Sequence, residues 1–128
     1  MARILIIDDQ DFVRDVERRI LESVGHQVLT ARDGEEGVQV LRRERIDLLV
    51  CDVFMPDRDG LEVIREVRRE YPGVRIVAVS GGSFDSKQDV LPATLEELGA
   101  DATLHKPFNS GELCAVVDEV LRRPPPGT

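Results

Sequence analysis

The chain is short of cysteine, of cations and of long apolar runs, and each shortage removes a class of function. Its 128 residues hold two cysteines, Cys51 and Cys114, with no CxxC pair. A disulfide framework or a thiolate metal site needs more than that. Both read as buried free thiols, which fits a reducing cytosol. No apolar stretch approaches the roughly 20 residues of a membrane-spanning helix. The apolar start, Ile4–Ile7, runs directly into Asp8 and Asp9, so it reads as a strand and not as a secretory signal. Lysine and arginine total 17 against 25 acids, a formal net charge of −8. So acidic a surface repels a phosphate backbone, which argues against direct nucleic-acid binding. A GxGxxG fingerprint for dinucleotides is also missing.

What is present is an alternation of two textures. Short β-branched runs at Ile4–Ile7, Val28–Ala31, Ile46–Cys51, Ile76–Val79 and Ala102–Leu104 read as strands, mostly covered on both faces. Between them lie segments of helical spacing. Phe12, Val16, Ile20 and Val24 recur every fourth residue, with Gly25 as a stop. Val38 and Leu41 mark a second helix. Leu61, Ile64 and Val67 mark a third, ending before Tyr71-Pro72-Gly73. A fourth is expected from near Lys87 or Asp89 to Leu98, with Pro92 in its first turn. The fifth spans about Ser110 to Arg122, with Leu113, Val116, Val117, Val120 and Leu121 inward and Asn109 and Glu112 as a capping box. Five βα units predict an α/β fold: a doubly wound, five-stranded parallel sheet of flavodoxin-like order 2-1-3-4-5 with five helices. One domain over 1–122 and an extended, disordered Pro-rich tail over 123–128 account for the chain.

In such sheets, sites form beyond the carboxyl ends of the strands. Those ends carry Asp8-Asp9, Asp52, Ser80 and Lys106-Pro107. Each alone has a plain reading: a helix cap, a surface lysine, a Ser-Gly-Gly loop. Together they put three carboxylates, a hydroxyl and an ammonium on one rim. Clustered carboxylates repel one another and call for a cation, and oxygen ligands suit a hard ion such as Mg²⁺. One carboxylate can attack phosphorus while the metal and Lys106 offset charge on the transferring group. Ser80 can then donate a hydrogen bond to the attached phosphoryl group.

These residues carry a resemblance. Ile6-Ile7-Asp8-Asp9, Asp52-Val53-Phe54-Met55-Pro56-Asp57-Arg58-Asp59-Gly60, Val79-Ser80, Leu98-Gly99-Ala100-Asp101 and Lys106-Pro107-Phe108 resemble the receiver family of two-component response regulators, from residue 3 to about 122. The resemblance implies a cytoplasmic phosphorelay switch and not an enzyme in the usual sense, although it assists its own phosphorylation and dephosphorylation. Asp52 is then the phosphoacceptor, served by a sensor histidine kinase or phosphotransfer protein. Asp9, Asp52 and the backbone carbonyl of Phe54 bind Mg²⁺ (or Mn²⁺), and Asp8 holds it through water. Lys106 contacts the phosphoryl oxygens, Ser80 moves toward them, and the Lys106-Pro107 bond is cis. The remaining partner is a downstream protein target, engaged by a monomer or a weak phosphorylation-dependent dimer, with neither nucleic acid nor membrane involved.

The chain departs from the family pattern in places. Thr103 stands where the family has an aromatic rotor, so the switch is expected to run through the Gly-rich loop after Ser80, Gly81–Ser86. The distance from Ser80 to Gly99 is about four residues longer than is common in the family, which reads either as a harmless surface insertion or as a partner-docking segment. Phe84 is a candidate docking anchor there. Phe54 and Gly82 suggest limited water access and a long-lived phosphoryl group. Three rival readings share the fold. A haloacid-dehalogenase-like phosphatase needs an acid two residues after its nucleophile, where Gln10 stands. A flavodoxin-like cofactor binder needs a phosphate loop where Asp8-Asp9 would repel one. An adaptor that works without phosphorylation is the third.

Overall fold

The computed structural model describes residues 1–53, 60–81 and 92–124. Its elements alternate strictly: β1 (Arg3–Ile7), α1 (Asp11–Ser23), β2 (Gln27–Ala31), α2 (Gly34–Arg43), β3 (Leu48–Asp52), α3 (Gly60–Glu70), β4 (Arg75–Gly81), α4 (Pro92–Leu98), β5 (Ala102–Lys106) and α5 (Ser110–Arg122). The sheet order is β2-β1-β3-β4-β5 and every pairing is parallel. The order and architecture are those expected from the alternation.

Strand side chains alternate between two cores, as a pleat of period two requires. Leu5, Ile7, Leu49, Cys51, Ile76 and Ala78 face one way, toward Val40 and Leu41 of α2, Val63, Ile64 and Val67 of α3, and Leu95 of α4. Ile4, Ile6, Leu48, Val50, Val77 and Val79 face the other, toward Leu21 of α1 and Leu113, Val117 and Val120 of α5. Burying each large aliphatic side chain contributes roughly 1.5–3 kcal/mol. Both faces of β1, β3 and β4 are therefore dry, and the sheet is a rigid base for its carboxyl edge.

Local signals set the helix ends. Asp33 caps α2 by accepting from the Glu36 N–H at 2.9 Å. Asn109 and Glu112 form the reciprocal capping box expected of α5. Gly25 ends α1 at a φ of +99°, a region where a Cβ is penalised. Gly99 does the same after α4 at +126°, beside the Arg68 side chain that donates to its carbonyl at 3.0 and 2.7 Å and to Asp101 at 2.7 Å. Asp101 also accepts from the Ile76 N–H at 2.7 Å. The Leu98-Gly99-Ala100-Asp101 stretch thus ties α3 and β4 to the turn before β5.

Three details differ from the sequence reading. The stripe of every fourth residue on α1 is not its buried face: Phe12 is 80 % exposed, Val16 38 % and Val24 49 %. A spacing of four overshoots the 3.6-residue turn, so the stripe drifts around the helix, and the fully buried α1 positions are Glu17 and Leu21. Cys51 is buried but Cys114 only half so, and neither is in a disulfide. Arg123, placed with the tail, donates to the Asp101 carbonyl at 2.6 Å and accepts from Arg75 at 2.9 Å. The helix expected from near Lys87 or Asp89 is seen from Pro92; its earlier part, the loop with Gly82 and Phe84, and the tail beyond Pro124 lie outside the described residues. No helix among the described residues is long and apolar enough to cross a membrane.

Candidate functional site

The site is assembled by strand order. Because β1 lies between β2 and β3, Asp8 and Asp9 emerge beside Asp52 at the end of β3. One ligand oxygen from each of Asp8, Asp9 and Asp52 lies within 4.8 Å of the others. Asp8 and Asp52 are buried while Asp9 is exposed, so the cluster has a dry floor and an open mouth. Asp8 does not cap α1, whose N-cap is Gln10 without a side-chain bond. Its Oδ1 instead accepts from the Gln10 N–H at 2.8 Å, while Arg14 donates to its carbonyl at 2.8 Å. That turn fixes the carboxylate toward β3.

Lys106 crosses to the cluster from the end of β5. Its Nζ lies 3.2 Å from Asp52 Oδ2 and 3.5 Å from Asp8 Oδ2. Burial pushes its pKa down, but Asp52 and Asp8 outweigh burial and hold the ammonium above its usual range. The Lys106-Pro107 bond is cis, as expected. Ser80 is buried at the end of β4, one residue beyond the Asp52–Val79 pair, and it pairs in register with His105. The His105 ring lies over Gly81, where a Cβ would fall 2.4 Å from Nε2. Thr103 is half-buried on β5. Phe54, expected to offer a backbone carbonyl, lies outside the described residues.

Two contributors escaped the sequence reading. In the sequence reading Gly60 closes the Asp52–Gly60 stretch that carries the resemblance, with no contact assigned to it. A Cβ there would stand 2.4 Å from the Asp52 carbonyl oxygen and 2.5 Å from Val53 Cα, so α3 begins hard against the phosphoacceptor candidate's own backbone. Glu17 was not singled out at all. It is 3 % exposed, its Oε2 has no hydrogen-bond partner, and its pKa is raised to about 8. Burial is the main cause; Asp8 and Asp52 add to the rise and Lys106 opposes it. Its only advance signal was its place four residues, about one helical turn, before Leu21.

Chemically, the cluster fits a hard divalent ion. All donors are oxygens, two of the three carboxylates are buried, and one ammonium cannot neutralise three negative charges. Comparison with known proteins agrees with that picture. The family model described as "Response regulator receiver domain" matches residues 4–118. The chain belongs to this family. Among solved structures, this receiver domain is similar to a CheY-like response regulator receiver domain protein from Methanospirillum hungatei JF-1, with 30 % identity, 94 % of each chain covered and a TM-score of 0.84. It is also similar to a putative response regulator from Chloroflexus aurantiacus J-10-fl, with 31 % identity, 95 % and 98 % coverage and a TM-score of 0.84. A curated relative, the transcriptional regulatory protein CpxR of Klebsiella pneumoniae, is 37 % identical over 96 % of this chain and 50 % of its own length. The probable transcriptional regulator ycf27 of Porphyridium aerugineum is 38 % identical over 94 % of this chain and 48 % of its own. The receiver domain thus spans about half the length of these curated relatives.

Proposed function

We propose that this receiver domain accepts a phosphoryl group on Asp52 from a phosphohistidine of a sensor histidine kinase or phosphotransfer protein. The observation that carries the reading is the Lys106 ammonium, 3.2 Å from Asp52 and 3.5 Å from Asp8, beside a three-carboxylate cluster. An Asp52 Oδ forms the new O–P bond as the P–N bond of the donor breaks. The electron pair stays on the imidazole nitrogen, which then takes up a proton. Asp8, Asp9 and Asp52 would hold Mg²⁺ or Mn²⁺, which neutralises charge on the transferring group. Lys106 holds a phosphoryl oxygen from the β5 side, and burial of Asp52 keeps bulk water from the acyl phosphate. Ser80 donates its hydroxyl to the attached group and carries the change into the segment that follows it. That change alters contacts with a downstream protein target, and the net charge of −8 argues against direct nucleic-acid contact by this domain. The setting is the cytoplasm, where kinase and target meet.

The test is intact mass after incubation with acetyl phosphate, with and without Mg²⁺. A gain of one phosphoryl group that needs Mg²⁺ and is lost in Asp52→Asn is expected. If neither phosphorylation nor beryllofluoride binding occurs in the wild type, the adaptor reading replaces this one.

A further inference from the structure

Glu17 is a buried acid for which phosphoryl transfer assigns no task. It projects from α1 into a cleft of about 450 Å³ between that helix and the turn after β5. Phe12, Val13, Val16, Ile20 and Phe108 wall the cleft, and the two ionisable groups lining it are Glu17 and Lys106. An orphaned carboxyl oxygen in such a place forfeits a hydrogen bond, at a cost of roughly 1–3 kcal/mol. Lys106 lines the same cleft.

We propose that Glu17 is a second seat for the Lys106 ammonium and so a positioning residue that competes with Asp52 for it. The inference rests on the phosphoacceptor reading above, in which Lys106 must be at the phosphoryl group. Lys106 now sits on the Asp52 and Asp8 side, at 3.2 and 3.5 Å. Rotation of its flexible stem toward α1 would satisfy Glu17 Oε2 and leave Asp52 without its cation. Lysine suits such a shuttle because its point charge rides on four rotatable carbons. Every charge facing Glu17 belongs to the same set: Asp8, Lys106 and Asp52. The seat therefore acts through one residue. It weakens retention of the phosphoryl group without touching it.

The experiment is a beryllofluoride titration in Mg²⁺ on wild type, Glu17→Leu and Glu17→Gln, each also combined with Lys106→Met. Removing the second seat in Glu17→Leu is expected to tighten binding roughly threefold to tenfold, with Glu17→Gln between. In the Lys106→Met background the Glu17 substitutions should have no effect, because the competitor has nothing to compete for. An equal effect in both backgrounds overturns the proposal and leaves Glu17 a structural residue. The ε-carbon NMR resonance of Lys106 provides an independent reading in the metal-free protein. It should shift in both Glu17 variants, and an unchanged resonance also overturns the proposal. If wild type binds no beryllofluoride, the phosphoacceptor reading fails, while the resonance still decides whether Glu17 and Lys106 meet.

Discussion

At residue scale, Glu17 and Gly60 make opposite demands on the site. A carboxyl that titrates near 4.5 in the unfolded chain keeps its proton to about 8 in the folded one. The folded state therefore binds more protons between those values, and stability falls as pH rises through that window. It is full below 4.5 and level again above 8. Glu17→Leu removes the dependence and fits an apolar position beside Leu21. Urea denaturation should show the variant about 2 kcal/mol more stable than wild type at pH 8 and much closer to it at pH 5. A constant difference across that range would show that Glu17 does not hold its proton. Gly60 works through shape. Its missing Cβ lets α3 start against the end of β3, since a Cβ there would stand 2.4 Å from the Asp52 carbonyl oxygen. Gly60→Ala must displace the backbone that carries Asp52, the proposed phosphoacceptor, and misplacement of a reacting atom slows transfer steeply. The rate of phosphorylation by acetyl phosphate should fall about tenfold or more, with the same final stoichiometry; an unchanged rate would mean that the α3 start yields freely.

At element scale, legibility depended on what kind of signal ended and oriented each helix. α5 was readable to the residue because Asn109 and Glu112 bond reciprocally, a local chemistry that tertiary packing does not alter. Asn109→Ala should cost about 1 kcal/mol, seen as a lower denaturation midpoint with an unchanged m-value. No loss would show that water caps α5 equally well. α1 was readable as a helix but not as a face. Of its apolar residues at intervals of four, Phe12, Val16 and Val24 are exposed and only Ile20 packs against the core, because α5 and the sheet decide which face is buried. A polar residue at a buried position, as with Glu17, carries no periodic signature. The strands were bounded to within one or two residues, since apolar runs covered on both faces stand out. Their ends were less sharp where a polar residue such as Ser80 or Lys106 continues the ladder.

At the scale of the whole molecule, the site was legible because it is a product of strand order. Alternating βα units imply which strand ends are neighbours, so Asp8, Asp9, Asp52 and Lys106 could be placed together before any contact was known. The stretch after Gly81 lies outside the described residues, and its sequence offers no such rule, having neither periodicity nor a cap signal. Convergence also has an energetic consequence for the entire fold. Folding draws three carboxylates within 4.8 Å, and their repulsion opposes it unless Lys106 and a cation compensate. A divalent ion that binds only the folded arrangement stabilises the whole domain by mass action, about 1.4 kcal/mol at ten times its dissociation constant. For a domain of this length that is a rise of about 5 °C in melting temperature. Mg²⁺ should therefore raise the Tm, and chelation should reverse it. NaCl at equal ionic strength should do much less, because screening acts weakly on buried charges. Asp9→Asn should flatten the Mg²⁺ dependence, since it removes one of the three carboxylates, the exposed one. If NaCl reproduces the whole rise, or Asp9→Asn leaves it intact, the carboxylates form a screened patch and not a metal centre.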